Sequence, residues 1–171
     1  MPYRFLLDEH MMPIPGLPLD IFGFEVVPLR QHDSSLVSTG TPDWMIYLAA
    51  KAGGFTGVIT HETAQLSQDL EARAFYLTDI TLIGFRKGVS DEITKWGLIM
   101  AYGPRIVKAL DRGDRGLFLL PAPGAMNPEP AGRIFGERVK ESGISFQEFL
   151  RRSELKMRNE LTARGRDSLW P

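Results

Sequence analysis

The sequence predicts an α/β protein: a three-layer α/β/α sandwich around a mainly parallel central sheet, with a C-terminal helical extension. Short apolar runs without polar alternation, such as Phe5-Leu6-Leu7, Val58-Ile59-Thr60 and Leu117-Phe118-Leu119-Leu120, are those of strands buried on both faces. Segments with helical spacing of apolar residues stand between such runs, the order of βαβ units. A chain of 171 residues, 43% hydrophobic and 24% charged, has the size and balance of one ordinary globular domain.

The first strand, residues 5–7, stops abruptly at Asp8-Glu9-His10. Three prolines between positions 13 and 18 delay any helix, so a short one is expected over about 17–22, closed by Gly23. Residues 24–29 read as a second strand and 30–40 as a polar loop. Thr41-Pro42-Asp43 has the order of a helix start, with Thr41 as N-cap, Pro42 in the first helical position and an acid in the first turn. That helix runs over 44–52 and ends at Gly53-Gly54. A third strand at 58–60 leads into His61-Glu62 and a helix over about 64–74.

Residues 81–85 are the fourth strand. Ser90-Asp91-Glu92 caps a helix to about residue 102, Gly103-Pro104 breaks it, and a second segment covers 104–110. The fifth strand is 117–120, which closes a domain over 1–120. Residues 121–132 hold four prolines and two glycines and read as a linker, followed by the extension at 133–171. In the extension Ser145 and Glu148 have capping-box spacing, and Phe146, Phe149, Leu150, Met157 and Leu161 line one face of the helix they open. That face needs a cover, from the domain or from a second copy, so a homodimer is expected.

Composition excludes several classes. There is no cysteine, which removes disulfides, thiolate nucleophiles and Cys-based zinc sites. No apolar run reaches the roughly 20 residues that span a bilayer. The opening residues lack the basic and apolar regions of a secretory signal, so no membrane and a cytoplasmic location are expected. The net charge of −1 is not that of a wholly basic nucleic-acid binder, yet it is unevenly spread. Residues 133–171 carry nine Lys/Arg against six Asp/Glu, while 1–132 carry eleven against fifteen. No Walker, Gly-x-Ser-x-Gly, zinc-finger or His-Glu-x-x-His motif occurs, and the glycine-rich 53–57 precedes a strand, the wrong side for cradling a phosphate.

Three acids stand at equivalent places. Asp8 follows the first strand, Asp43 opens the helix after the second, and Glu62 follows the third. In a right-handed parallel sheet, strand ends and helix starts share one edge, where open α/β sheets bind ligands. Asp43 and Glu62 also suit helix N-termini for the dipole alone, whereas an acid directly after a buried strand needs a proton, a partner or a cation. A like-charge pair at about 4 Å costs roughly 4 kcal/mol at an effective dielectric near 20, which a divalent ion with oxygen ligands relieves. Metal-assisted phosphodiester hydrolysis is the chemistry such a group suits.

The strings Leu6-Leu7-Asp8-Glu9-His10, Gly40-x-x-Asp43-x-x-Ile46-x-x-Ala49 and Val58-Ile59-Thr60-His61-Glu62 resemble, in order and spacing, the PIN-like nuclease domains over about residues 3–120. That family includes the toxin ribonucleases of type II toxin–antitoxin pairs and stand-alone relatives. The resemblance implies that Asp8, Asp43 and Glu62 hold Mg2+ or Mn2+ and form the catalytic site, with RNA as substrate and an antitoxin protein as possible partner. The pattern departs at three points: Glu62 stands for the usual Asp, His10 for Asn, and Ala64 where a second acid is usual. Asp69 and Asp79 are candidates to replace that acid. His10 and His61 are candidates to touch phosphate or orient a ligand, and Arg30, Arg86, Lys87 and the Arg-rich C-terminal helix to bind RNA. The alternatives are a PIN-like binding or assembly module without catalysis, and a metal-dependent phosphohydrolase of a small substrate.

Overall fold

The computed structural model describes residues 2–14, 16–37, 41–61, 63–122 and 126–171. Five strands form one all-parallel sheet: β1 (Tyr3–Leu7), β2 (Phe24–Pro28), β3 (Gly57–Ile59), β4 (Thr81–Phe85) and β5 (Leu117–Leu120), in the order β2-β1-β3-β4-β5. Leu6 stands opposite Val27 on one side and Val58 on the other, and Ile83 opposite Ile59 and Phe118. The helices are α1 (Leu29–His32), α2 (Asp43–Ala52), α3 (Asp69–Thr78), α4 (Glu92–Asp111), α5 (Ala131–Ser142) and α6 (Phe146–Ala163).

Successive strand residues point to opposite faces, and both faces are covered. Leu6, Val58, Leu82 and Leu117 pack with α2, Phe75 of α3 and Met157 of α6. Phe5, Leu7, Ile59, Ile83, Phe118 and Leu120 pack with Trp96, Ile99, Ile106 and Leu110 of α4. This is the three-layer sandwich that unalternated apolar strands require.

Residues 44–50 of α2 are all buried, on its outer side as well as against the sheet. The cover is the C-terminal extension: Met157 and Leu161 of α6, with Leu169 and Trp170 beyond it, join the same core. Phe135 and Val139 of α5 and Phe149 of α6 close a further apolar cluster with Ala72 of α3. The apolar face that suggests a second subunit is therefore covered in cis, apart from Phe146 at its start, which stays exposed. The Ser145 hydroxyl accepts from the Glu148 N–H at 3.2 Å, the first half of the expected capping box; the Glu148 carboxylate binds Arg151 and Arg152 instead.

Several boundaries differ from the sequence reading. The helix expected to break at Gly103-Pro104 is one 20-residue helix, α4, with Pro104 inside it. Ile99 and Ile106 are fully buried on either side of the proline and hold the helix through it. Helix α2 begins at Asp43 with Pro42 in the N-cap position, one residue later than expected. Part of the polar loop at 30–40 is ordered as α1 and a 3-10 turn at Ser34–Val37; residues 38–40 lie outside the described residues. Residues 64–67 form a 3-10 turn rather than the first turn of α3, which starts at Asp69. No helix among the described residues is long and apolar enough to cross a membrane.

Candidate functional site

The strand order changes direction between β1 and β3, since the chain runs outward from β1 to β2 and then returns to β3. In open parallel sheets the crevice beyond the carboxyl ends of two such strands is the usual ligand site. Asp8 is the residue directly after β1, and Thr60 the residue directly after β3. The ladder extends to both: the Asp8 N–H donates to the Ile59 carbonyl at 3.0 Å and the Thr60 N–H to the Ile83 carbonyl at 3.0 Å. Extended backbone through these two positions aims Asp8 and Thr60 together, and the Thr60 hydroxyl donates to Asp8 Oδ2 at 2.8 Å.

Asp8 is 3% exposed, and its second oxygen, Oδ1, is buried with no hydrogen-bond partner among the described residues. A carboxylate oxygen out of water without a donor costs several kcal/mol unless a proton or cation meets it. Asp43 is half-buried in the first turn of α2. One turn on, and therefore on the same helix face, Tyr47 is buried, its hydroxyl without a hydrogen-bond partner among the described residues. Burial first, then the negative charges of Asp43, Asp8 and Glu71, push the Tyr47 hydroxyl well above its usual range. Asp8 and Asp43 thus both act on the Tyr47 hydroxyl through their charge. Glu62, the third expected ligand, lies outside the described residues.

Of the expected substitutes for the acid missing at Ala64, Asp69 opens α3 but is engaged elsewhere, and Asp79 lies at the other end of that helix. Asp69 accepts from Arg138 at 2.6 Å, on the outside of α3. Asp79 caps the far end of α3 in a left-handed conformation, with φ of 49°, at the opposite edge of the sheet. Glu71, which the sequence does not single out, is a buried acid in the first turn of α3, 7% exposed, in a cleft with Trp44 and Lys156. Burial raises its carboxyl pKa, and the neighbouring charge of Asp43 adds to that rise.

His10 is largely exposed and lies 3.7 Å from Glu9, and His61 is exposed. Arg30 lines a cleft of about 370 Å³ that also includes Asp8, Glu9, Met11 and Gln31, on the β2 side of the crevice. The Arg86 guanidinium donates to the Pro121 carbonyl at 2.9 Å, which ties it to the chain after β5; Lys87 is exposed beside it. Lys95, another group the sequence does not single out, is 2% exposed and bonds Glu92 at 2.5 Å, and Glu92 also accepts from the Met12 N–H. That arrangement ties the loop after β1 to α4.

The donor set at the edge is all oxygen, from carboxylates and hydroxyls, which suits a hard cation such as Mg2+ or Mn2+. The orphaned Asp8 Oδ1 is the atom that fits one most directly. Among the described residues, however, no group of three His, Asp or Glu side chains is assembled closely enough to hold a metal ion. Comparison of the chain with protein-family models, curated proteins and solved structures returned no match.

Proposed function

We propose that the chain is a divalent-metal-dependent ribonuclease of the PIN-like class, working at the carboxyl edge of β1 and β3. The observation that carries this reading is Asp8: a buried carboxylate at the sheet's switch point, held by Thr60 through one oxygen and unpartnered at the other. Asp8, Asp43 and Glu62 would hold Mg2+ or Mn2+. Such an ion, when bound, lowers the pKa of a water and offsets charge building on the phosphodiester.

The chain's own residues then have distinct tasks. Thr60 fixes the rotamer of Asp8, so that Oδ1 is presented and Oδ2 is occupied. Asp43, half-buried at the start of α2, stands between the crevice and solvent, where a phosphate approaches. Arg30, exposed on the rim of the adjoining cleft, supplies positive charge for the RNA backbone. Incubating structured RNA with Mg2+ or Mn2+ tests this: the wild type should cleave it and Asp43→Asn should not. Intact RNA after incubation of the wild type with either ion sinks the assignment.

Two observations favour a second reading, a PIN-like module that binds a protein or nucleic-acid partner without catalysis. Position 64 is Ala, and the described residues contain no ready group of three metal-ligating side chains. RNA retained but uncut in the same assay is the signature of that module.

A further inference from the structure

Arg73 of α3 is a buried cation, 7% exposed, on the side of the helix turned to the C-terminal extension. Its guanidinium carbon lies 5.9 Å from the ring centroids of both Tyr76 and Phe135. That distance is close to the limit of about 6 Å at which a ring face attracts a cation, and a ring is no substitute for a carboxylate acceptor. Among the described residues no acid forms an ion pair with Arg73, and its Nε is buried without a hydrogen-bond partner. Burial lowers its pKa. The charge of Glu154 opposes that fall, but Glu154 is itself bonded to Arg158 at 2.9 Å.

The arginines around it are matched. Arg133, Arg138, Arg151, Arg152 and Arg158 of α5 and α6 each meet a Glu or Asp carboxylate. Arg73 is therefore an uncompensated positive charge among neutral pairs, whereas a buried charge is ordinarily paired. A polyanion is held by several cations at once, and these are already spent on acids of the chain. A single carboxylate answers the charge that is left.

Apolar surface lies open beside it. The Tyr76 ring stacks on Phe135 at 4.7 Å, and Phe146 meets the same ring edge-on at 5.6 Å. Phe135 is fully buried, while Tyr76 and Phe146 are both exposed. Gly132 and Gly136, one turn apart on α5, add bare backbone. A Cβ at Gly132 would lie 3.8 Å from the Tyr76 ring, and one at Gly136 would meet nothing within 4 Å.

We propose that this face docks a protein partner through a carboxylate with an aromatic or aliphatic group beside it. The carboxylate pairs with Arg73, and the apolar group covers Tyr76 and Phe146. Every residue of the face belongs to α3, α5 or α6, so the proposal stands apart from the metal reading of Asp8.

The test is a nuclear magnetic resonance titration of the full 15N-labelled chain, in chelator, with N-acetyl-phenylalanine. This probe carries one carboxylate beside one ring. The Arg73 Nε–H signal, identified by its absence from Arg73→Lys, should shift and saturate at about millimolar probe, the strength expected of a ligand this small. N-acetyl-phenylalanine amide, which lacks the charge, should bind at least about tenfold more weakly. Arg73→Gln, followed through the backbone signals of Tyr76 and Phe146, should bind the acid weaker by a similar factor. It should melt at or above the wild-type temperature, because it removes an unpaired buried charge. Arg73→Lys keeps the charge without the planar fork, should bind with intermediate strength, and serves if the Gln variant folds poorly. Absence of a saturable shift in the wild type, equal binding of acid and amide, or unchanged binding by Arg73→Gln overturns the proposal. Uridine monophosphate bound more tightly than N-acetyl-phenylalanine at Arg73 overturns the assignment to a protein partner.

Discussion

The Thr60 hydroxyl reaches across the switch point of the sheet and donates to Asp8 Oδ2 at 2.8 Å, both side chains being almost wholly buried. Among the described residues this is the side-chain donor that meets the Asp8 carboxylate, and it decides which oxygen faces the crevice. Thr60→Val keeps the shape and removes the donor. It should cost about 1–3 kcal/mol in urea denaturation, the range for leaving a buried acceptor unmet, and should weaken any metal response along with it.

Gly84 on β4 lies against Thr63, a residue of the segment between β3 and α3. A methyl group added at Gly84 would come within 2.1 Å of the Thr63 Cγ2 atom. Thr63 must turn or move, and the loop after β3 moves with it. Gly84→Ala should therefore lower Mn2+ affinity more than it lowers the metal-free melting temperature. Equal losses in both would show that Gly84 serves packing alone.

The extension beyond residue 130 is part of the core and not an appendage, since Met157 and Leu161 cover the outer side of α2. Met157→Ala and Leu161→Ala should each cost about 2–5 kcal/mol, measured by chemical denaturation. A chain ending at residue 130 should expose α2 and lose its cooperative thermal transition.

Asp33 fastens the far end of that extension. Arg166 donates to its two carboxylate oxygens at 2.7 and 3.3 Å. Burial alone would raise the Asp33 carboxyl, but the bonds from Ser35 and Arg166 outweigh it and hold the pKa below its usual value of 3.8. A depressed acid stabilises the fold above its unfolded pKa and loses that effect as pH falls through the folded value. The wild type should thus lose stability relative to Asp33→Asn as pH drops below about 4, with the difference between them constant from pH 6 to 8. Melting curves across pH 2.5–8 read this directly, once both variants are compared in the same buffers.

How far the sequence reveals this molecule depends on whether the deciding interaction is local. Residues 81–85 and 117–120 are legible as strands to the residue, because each is a short apolar run bounded by turn residues. Pro104 misleads, since a proline inside a helix costs about 3 kcal/mol in isolation, whereas burial of Ile99, Ile106 and Leu110 against the sheet offsets it here. Asp8 and Asp43 are legible because topology alone brings strand ends and helix starts together. The burial of Glu71 is not legible, because it depends on where α3 begins, and the 3-10 turn at Ala64–Ser67 that delays α3 to Asp69 has no signal in the sequence.

The most direct test of the central claim, that Asp8 anchors a divalent-cation site, is a Mn2+ titration followed by thermal melting of the wild type and Asp8→Asn. Binding to the folded state alone adds about 2.7 kcal/mol at a hundredfold excess over the dissociation constant. The wild-type melting temperature should therefore rise steadily with Mn2+, while that of Asp8→Asn stays flat. A wild-type melting temperature indifferent to Mn2+, or an equal rise in Asp8→Asn, would contradict the account.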